Sequence, residues 1–214
     1  MVTYTAYVIK LYSMSATKSR REQYSEATRA ALIDAATRRF ATFGFAATAL
    51  EDIASDIDAT RGAVYHHFSN KRALFKAVHE ELESAAVARV TEIAAAAADP
   101  WTGALDALDA FLDQCLDPVY SRIVWREAPV ALGWQEWHRA EETYAYGIIH
   151  QLLTALVASG HIEPVPLDTA TRITFSMLGS AGTTLAESPA KDQQRLRDEY
   201  ADMVRRMLRG LSAG

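Results

Sequence analysis

An all-α fold is what these 214 residues predict, and three observations carry that reading. Apolar residues recur at spacings of three and four along most of the chain, the periodicity of helices with one buried face. No strand-like alternation and no hairpin turn interrupts the pattern. Capping residues (Ser, Thr, Asp, Asn) stand before the periodic runs, and Pro or Gly marks their boundaries. Half of the residues are hydrophobic, enough for a full core, and the length suits a small head plus one larger helical domain, about nine helices in all.

The first run, about 25 to 43, places Ala30, Ile33, Ala36, Phe40 and Phe43 on one stripe, and Gly44 ends it as a C-terminal glycine. Thr48 followed by Glu51 has the spacing of a capping box, so a second helix is expected over about 49 to 57, burying Leu50, Ile53, Ala54 and Ile57. Thr60 is the next N-cap, opening a short helix over about 61 to 67, and Ser69 a third before the run from about Asn70. Segments this short are not stable alone and must pack together, as helix-turn-helix units do.

The pattern T-x-x-x-x-I-A at Thr48, Ile53 and Ala54, then T-R-G-x-V-Y-H-H-F from Thr60 to Phe68, then Asn70-Lys71, closely resembles the helix-turn-helix of the tetracycline-repressor (TetR) family of bacterial regulators. The resemblance implies a DNA-binding head over 25–72 and a ligand-binding and dimerisation domain over 73–214, preceded by a flexible arm over 1–24. Met14 is a second candidate start, and Lys18, Arg20 and Arg21 make the arm basic. In such a motif the second helix of the pair enters the major groove. Arg61, in its first turn with Thr60, Gly62 and Ala63, can fork onto guanine O6 and N7 or hold a phosphate, and Gly62 leaves room for close approach. Family resemblance adds Tyr65 and Lys71 as phosphate contacts and brings Thr48 and His66 to the same surface; His67 is read equally well as packing. Asp58 stands in the turn where the family usually has glycine, and aspartate tolerates the left-handed backbone needed there.

Charge is unevenly spread. Ten Lys/Arg face eight Asp/Glu between Ser15 and Glu80, while eleven face nineteen from Glu81 onward. A faintly basic head on an acidic body fits a protein that meets DNA at one end only, with specific contacts and dimerisation supplying much of the affinity. The single cysteine, Cys115, excludes an internal disulfide and a CxxC zinc site and fits a reducing cytoplasm; it reads as a small core residue. No apolar run approaches the length of a membrane span.

In the body, helical pattern runs from Asn70 to Ala98 and stops at Asp99-Pro100; further runs cover about 103 to 116, 118 to 131 and 135 to 158. Trp125, Trp134 and Trp137, interrupted by Pro129 and Gly133, suit either the wall of a small-molecule pocket or a tryptophan-stitched core. Phe111, Tyr144, His150 and Met177 are candidates for the same pocket, together with Tyr146. His138, Glu141 and Glu142 share one helical face, which reads as a solvated charged face; no cofactor and no metal are expected. The last two helices, from Pro166 to about Ala186 and from Ser188-Pro189 to about Leu211, carry Ile173, Met177, Gly179, Gly182, Leu196, Tyr200, Met203 and Met207. They resemble the family's four-helix dimer element.

The resemblance thus implies a cytoplasmic homodimeric transcriptional regulator, a repressor released from a palindromic operator by an unknown apolar or aromatic effector, and not an enzyme. The alternative is a small-molecule-binding or catalytic helical protein whose DNA-binding head is vestigial.

Overall fold

The computed structural model describes residues 19–212; the sequence expectations for Met14 and Lys18 fall outside them. Nine helices follow one another with no strand among the described residues: α1 (Arg20–Ala47), α2 (Leu50–Ser55), α3 (Arg61–His67), α4 (Lys71–Ala96), α5 (Pro100–Leu116), α6 (118–131), α7 (Trp134–Ala158), α8 (Leu167–Glu187) and α9 (Ala190–Gly210).

Helix α1 begins five residues before the expected start. Ser19 and Glu22 form a capping box, the serine oxygen accepting from the Glu22 N–H and the Glu22 carboxylate accepting from the Ser19 N–H, so Arg20 to Tyr24 are helix and not part of a flexible arm. Its buried face is Leu32, Ile33, Ala35, Ala36 and Phe40; Ala30 and Phe43 lie outside it, because the apolar stripe drifts with the 3.6-residue turn. Gly44 breaks the helix at φ 82.

Thr48 does not cap α2. The N-cap is Ala49, without a side-chain bond, and Thr48 is buried with its hydroxyl donating to the Gly44 carbonyl at 2.8 Å. Thr60 caps α3 by accepting from the Ala63 N–H, and Asn70, one residue after the expected Ser69, caps α4 by accepting from the Ala73 N–H. Asp58 takes the left-handed conformation at φ 53, as its place in the turn required.

Asp99 and Asp117 cap the next two helices, each accepting two backbone N–H groups ahead of a first-turn proline. Helix α5 therefore starts at Pro100, three residues earlier than periodicity alone suggested. Helix α6 is α-helical over Pro118–Tyr120, widens into a π-helix over Ser121–Glu127 and closes as α-helix over Ala128–Ala131. One apolar core joins head and body, running from Leu32 and Phe40 through Phe75 to Ile123, Trp125, Leu185 and Val204.

Gly182 belongs to that core and not to an outer face. A Cβ added there would overlap the six-membered ring of Trp125, which packs close against the bare α8 backbone. On α9 the inward stripe is Leu196, Tyr200, Ala201, Val204 and Leu208, while Met203, Met207 and Leu211 are exposed. Half-buried Arg197 pins α9 to α5 through Asp109 at 2.9 Å and Asp113 at 2.8 Å. Overpacking at the α6–α8 contact gives a direct check: Gly182→Ala is expected to lower unfolding free energy by about 1 to 3 kcal/mol in a urea titration. An unchanged midpoint would mean that Trp125 is free to move aside.

Candidate functional site

The head presents α3 outward. Val64 is buried among Leu50, Ile53, Phe40 and Phe75, which leaves Arg61, Gly62, Tyr65 and His66 exposed and Ala63 half-buried. Arg61 lies over the Tyr65 ring at 5.3 Å and 3.4 Å from a Glu51 carboxylate oxygen. A pair this exposed is worth about 0 to 1 kcal/mol, so the guanidinium is easily exchanged onto another acceptor. Nothing but the Thr60 hydroxyl comes within 4 Å of a Cβ placed on Gly62, so the surface there is flat and open. His67 tilts against His66 and Phe68; burial, then neighbouring His66 and Arg29, depress its pKa, and the ring is neutral near pH 7.

Two residues expected at the nucleic-acid surface have other work. Thr48 is buried, as described above. Lys71 donates all three ammonium hydrogens to carbonyls at the end of α1, Phe45 at 2.8 Å, Ala46 at 3.3 Å and Thr48 at 2.9 Å, and lies 4.6 Å from the Phe45 ring centroid. It therefore has no donor left for a phosphate; its charge closes the C-terminal end of α1 instead. The signal available in the sequence was local, whereas the partners of Lys71 lie more than twenty residues away.

Behind the head, the body encloses a cavity of about 800 Å³ with a predominantly apolar wall from α4 to α9. Of the pocket candidates, Phe111, Trp125, Trp134, Trp137 and Met177 line it; Ile173, Gly179 and Met207, expected at an interface, border it as well. Tyr144 and His150 do not. Tyr144 turns to Ser84 on α4, and His150 stacks on Tyr146 and approaches Asp168 on the outside. Trp125 is edge-on to both Phe111 and Trp137, and its buried indole N–H has no acceptor among the described residues. The buried Trp137 indole N–H has no acceptor among the described residues. Cys115 is buried and its thiol pKa pushed well up by desolvation, which makes it an inert core residue.

Sequence reasoning missed the polar patch in this wall. Glu83 and Tyr120 line it, the tyrosine hydroxyl donating to Glu83 Oε1 at 2.6 Å, and Glu141 lies beside them with His79 Nε2 3.1 Å from its Oε1. His79, Glu83 and Glu141 are all buried. The reading of His138, Glu141 and Glu142 as one solvated face is therefore corrected: Glu142 meets Arg172 at 3.3 Å and His138 is exposed, but Glu141 points inward. A face spanned by i, i+3 and i+4 is wide enough to straddle the boundary of a core.

Desolvation pushes Glu83 up to about 7, with Glu141 adding repulsion and the Tyr120 hydroxyl and His79 opposing it. Burial alone pushes Glu141 up to about 8, and burial depresses His79. Above the ordinary carboxyl value of 4.5 the folded chain retains two protons that the unfolded chain has released. Their stabilising contribution is whole below that value and is lost as pH rises through about 7 to 8. His79 has the opposite sign, costing stability as pH falls below its ordinary 6.5. The melting midpoint is therefore expected to fall as pH rises from about 6.5 to about 8 and to level off above that, and Glu141→Gln, uncharged at every pH, to flatten that fall; a variant as steep as the parent would place the titration elsewhere.

The comparisons with known proteins agree with this architecture. Residues 32–78 match the family described as "Bacterial regulatory proteins, tetR family", and residues 101–211 match "Tetracyclin repressor-like, C-terminal domain". The TetC protein of transposon Tn10 from Escherichia coli is 22% identical over 154 residues, 71% of this chain and 76% of that protein. The regulator TtgR from Pseudomonas putida is 44% identical over 63 residues, 29% of this chain and 30% of its own length. Among solved structures, a TetR-family transcriptional regulator from Pectobacterium atrosepticum superposes with a TM-score of 0.79 at 27% identity, covering 92% of this chain and 99% of that one. A helix-turn-helix head fused to an all-helical body defines a DNA-binding transcriptional regulator. The chain belongs to the TetR family. No described helix is long and apolar enough to cross a membrane.

Proposed function

We propose that the protein is an effector-released repressor that binds a near-palindromic operator as a homodimer. The observation that carries the reading is the π-helix of α6, which touches cavity and head within three residues. Trp125 forms cavity wall, and Glu127 accepts the Phe45 N–H at 2.9 Å at the kink of α1. Arg122, one turn earlier, donates to the Thr42 carbonyl at 3.1 Å. A ligand that displaces Trp125 therefore acts on the same turn that holds the end of α1. π-helical turns recur at functional positions in helices because their backbone is the costlier arrangement.

Release requires the effector to prefer the conformation in which the two heads no longer fit successive major grooves. The cavity's lining suits an apolar or aromatic effector, with the Trp137 N–H and the Glu83–Glu141 patch as its polar contacts. Arg61, Gly62, Ala63, Tyr65 and His66, capped by Thr60, form the reading surface, with Arg61 on a base edge and Tyr65 on phosphate.

Dimerisation is assigned to the outer faces of α8 and α9. Ile173, Met203, Met207 and Leu211 are exposed there, and half-buried Met177 and Gly179 lie beside them. Four large apolar side chains on neighbouring helices suit a two-fold four-helix contact. Leu196 and Tyr200 take no part, since they pack inward, Tyr200 sharing a 2.9 Å hydrogen bond with Thr184.

Mobility-shift titration against DNA flanking the gene tests the reading. Arg61→Ala is expected to cost about 1 to 3 kcal/mol on the preferred site while leaving binding to scrambled DNA nearly unchanged. Equal binding of the parent to every sequence would sink the proposal. Light scattering tests the other half: Met203→Asp combined with Met207→Asp should yield monomers that bind a full operator much more weakly, and a persistent dimer would move the interface elsewhere.

A further inference from the structure

Within the polar patch of the cavity wall, the cluster at the α4–α7 contact carries chemistry beyond hydrogen bonding to an effector. His79 and Glu83 stand at i and i+4 on α4 and so share a face, and Glu141 of α7 meets them. One ligating atom from each, an imidazole nitrogen and two carboxylate oxygens, lies within 4.8 Å of the other two. Metal bonds of about 2.0 to 2.2 Å to N and O would hold such atoms about 3 to 4 Å apart, so the side chains need only close in slightly.

A packing role does not explain this trio. Apolar residues of similar size would serve a core at least as well, and no Lys or Arg among the described residues pairs with either buried carboxyl group. Two acids with a neutral imidazole lack one thing, a doubly charged partner. With both carboxylates ionised, a divalent ion brings the buried site to zero net charge. Tyr120 already stands outside Glu83 as the hydrogen-bond donor that orients a ligating carboxylate. An independent observation also points to a ligand in this wall: Trp137, 5% exposed and lining the same cavity, keeps an indole N–H without an acceptor among the described residues.

We propose that His79, Glu83 and Glu141 bind one divalent transition-metal ion of the zinc class, with its remaining coordination positions turned to the cavity. One nitrogen and two oxygens suit zinc, cobalt, manganese or iron(II) better than the all-oxygen shells of calcium or magnesium. Water or an oxygen-bearing ligand would complete the shell, and Trp137 can donate to such a ligand. Among the described residues, the other His–carboxylate pairs, His150 with Asp168 and His161 with Asp99, are each 3.9 Å apart, more exposed, and lack a third ligand.

The proposal does not rest on DNA binding, and its test is read without DNA. Full-length, tag-free protein stripped with chelator is titrated with Co²⁺ by absorption and with Zn²⁺ by calorimetry. One ion per chain is expected, with visible cobalt bands stronger than those of the aquo ion and an affinity that climbs as pH rises from about 6 to about 8, because binding expels the carboxyl protons. Glu141→Gln and Glu83→Gln should each weaken binding by about 10-fold or more, and His161→Ala together with His150→Ala should not. If a glutamine variant fails to fold, the parent's own spectrum decides. An aquo-like cobalt spectrum, no saturable binding, or one-to-one binding unchanged in a folded Glu141→Gln would overturn the assignment.

Discussion

The contact on which the rest of the molecule depends is the one between the Glu127 carboxylate and the chain at Gly44–Phe45. Gly44 is buried at φ 82, a backbone conformation that side chains rarely adopt, and a Cβ there would lie 2.6 Å from Glu127 Oε1. Only glycine satisfies both conditions at once. The bare backbone lets Glu127 reach the Phe45 N–H, and the kink turns the Phe45 ring to within 5.9 Å of Phe40 and 5.2 Å of Phe75. Lys71 then closes the same end through the Phe45 and Thr48 carbonyls. Body, long helix and head meet at three consecutive residues, so the head's attitude toward the body is fixed by polar contacts on a glycine and not by apolar area alone.

A junction of that kind is discriminating where an apolar one is tolerant. Hydrogen bonds to a carboxylate are lost within fractions of an ångström and a few tens of degrees, whereas apolar contact degrades gradually. Arg72 adds a second such tie, donating to the Ala131 and Leu132 carbonyls at 3.2 and 2.7 Å and to Glu136 at 2.7 Å, so α4 is held at both ends of the irregular segment between α6 and α7. A change inside the cavity that rotates α6 must break or carry these bonds; it has no third course. That is the physical requirement for a bistable element.

Much of the fold was legible in the sequence because its signals were local. Pro118, Gly160 and Pro166 bound helices where periodicity put them, and Asp58 took the left-handed turn. Errors arose where a side chain's partner is distant. Thr48 with Glu51 has the spacing of a capping box, but burial turned the hydroxyl back to Gly44, and the Lys71 ammonium found carbonyls of a preceding helix. The cavity's aromatic wall was readable as composition, yet Tyr144 and His150 fell on the wrong side of α7 and Glu141 on the unexpected one. Helical spacing says which residues share a face; it does not say where the boundary of the core crosses that face. The π-turn left no signal beyond Pro129, since its extra residue per turn is stabilised by contacts with α1 and α8 that no local pattern encodes.

The head's electrostatics bear on the proposed homodimer. Most of its cations are already committed: Arg39 to Asp56 at 2.6 Å and Asp52 at 3.4 Å, Arg38 to Asp34, Lys71 to carbonyls, Arg72 and Lys76 to Glu136. Arg29 lies over the Phe68 ring. Affinity from counterion release scales with the number of phosphates neutralised, and most cations here must first give up a contact within the protein to neutralise one. A single head therefore gains little from DNA in general and must draw on contacts at α3, where Arg61 gives up only an exposed pair with Glu51. Joining two such heads raises affinity only where both half-sites are present at the right spacing, because the second contact is then intramolecular. In the proposed dimer, weak electrostatics in one head would turn into selectivity in two, and the same arithmetic would make release easy, since misplacing one head would forfeit most of the binding.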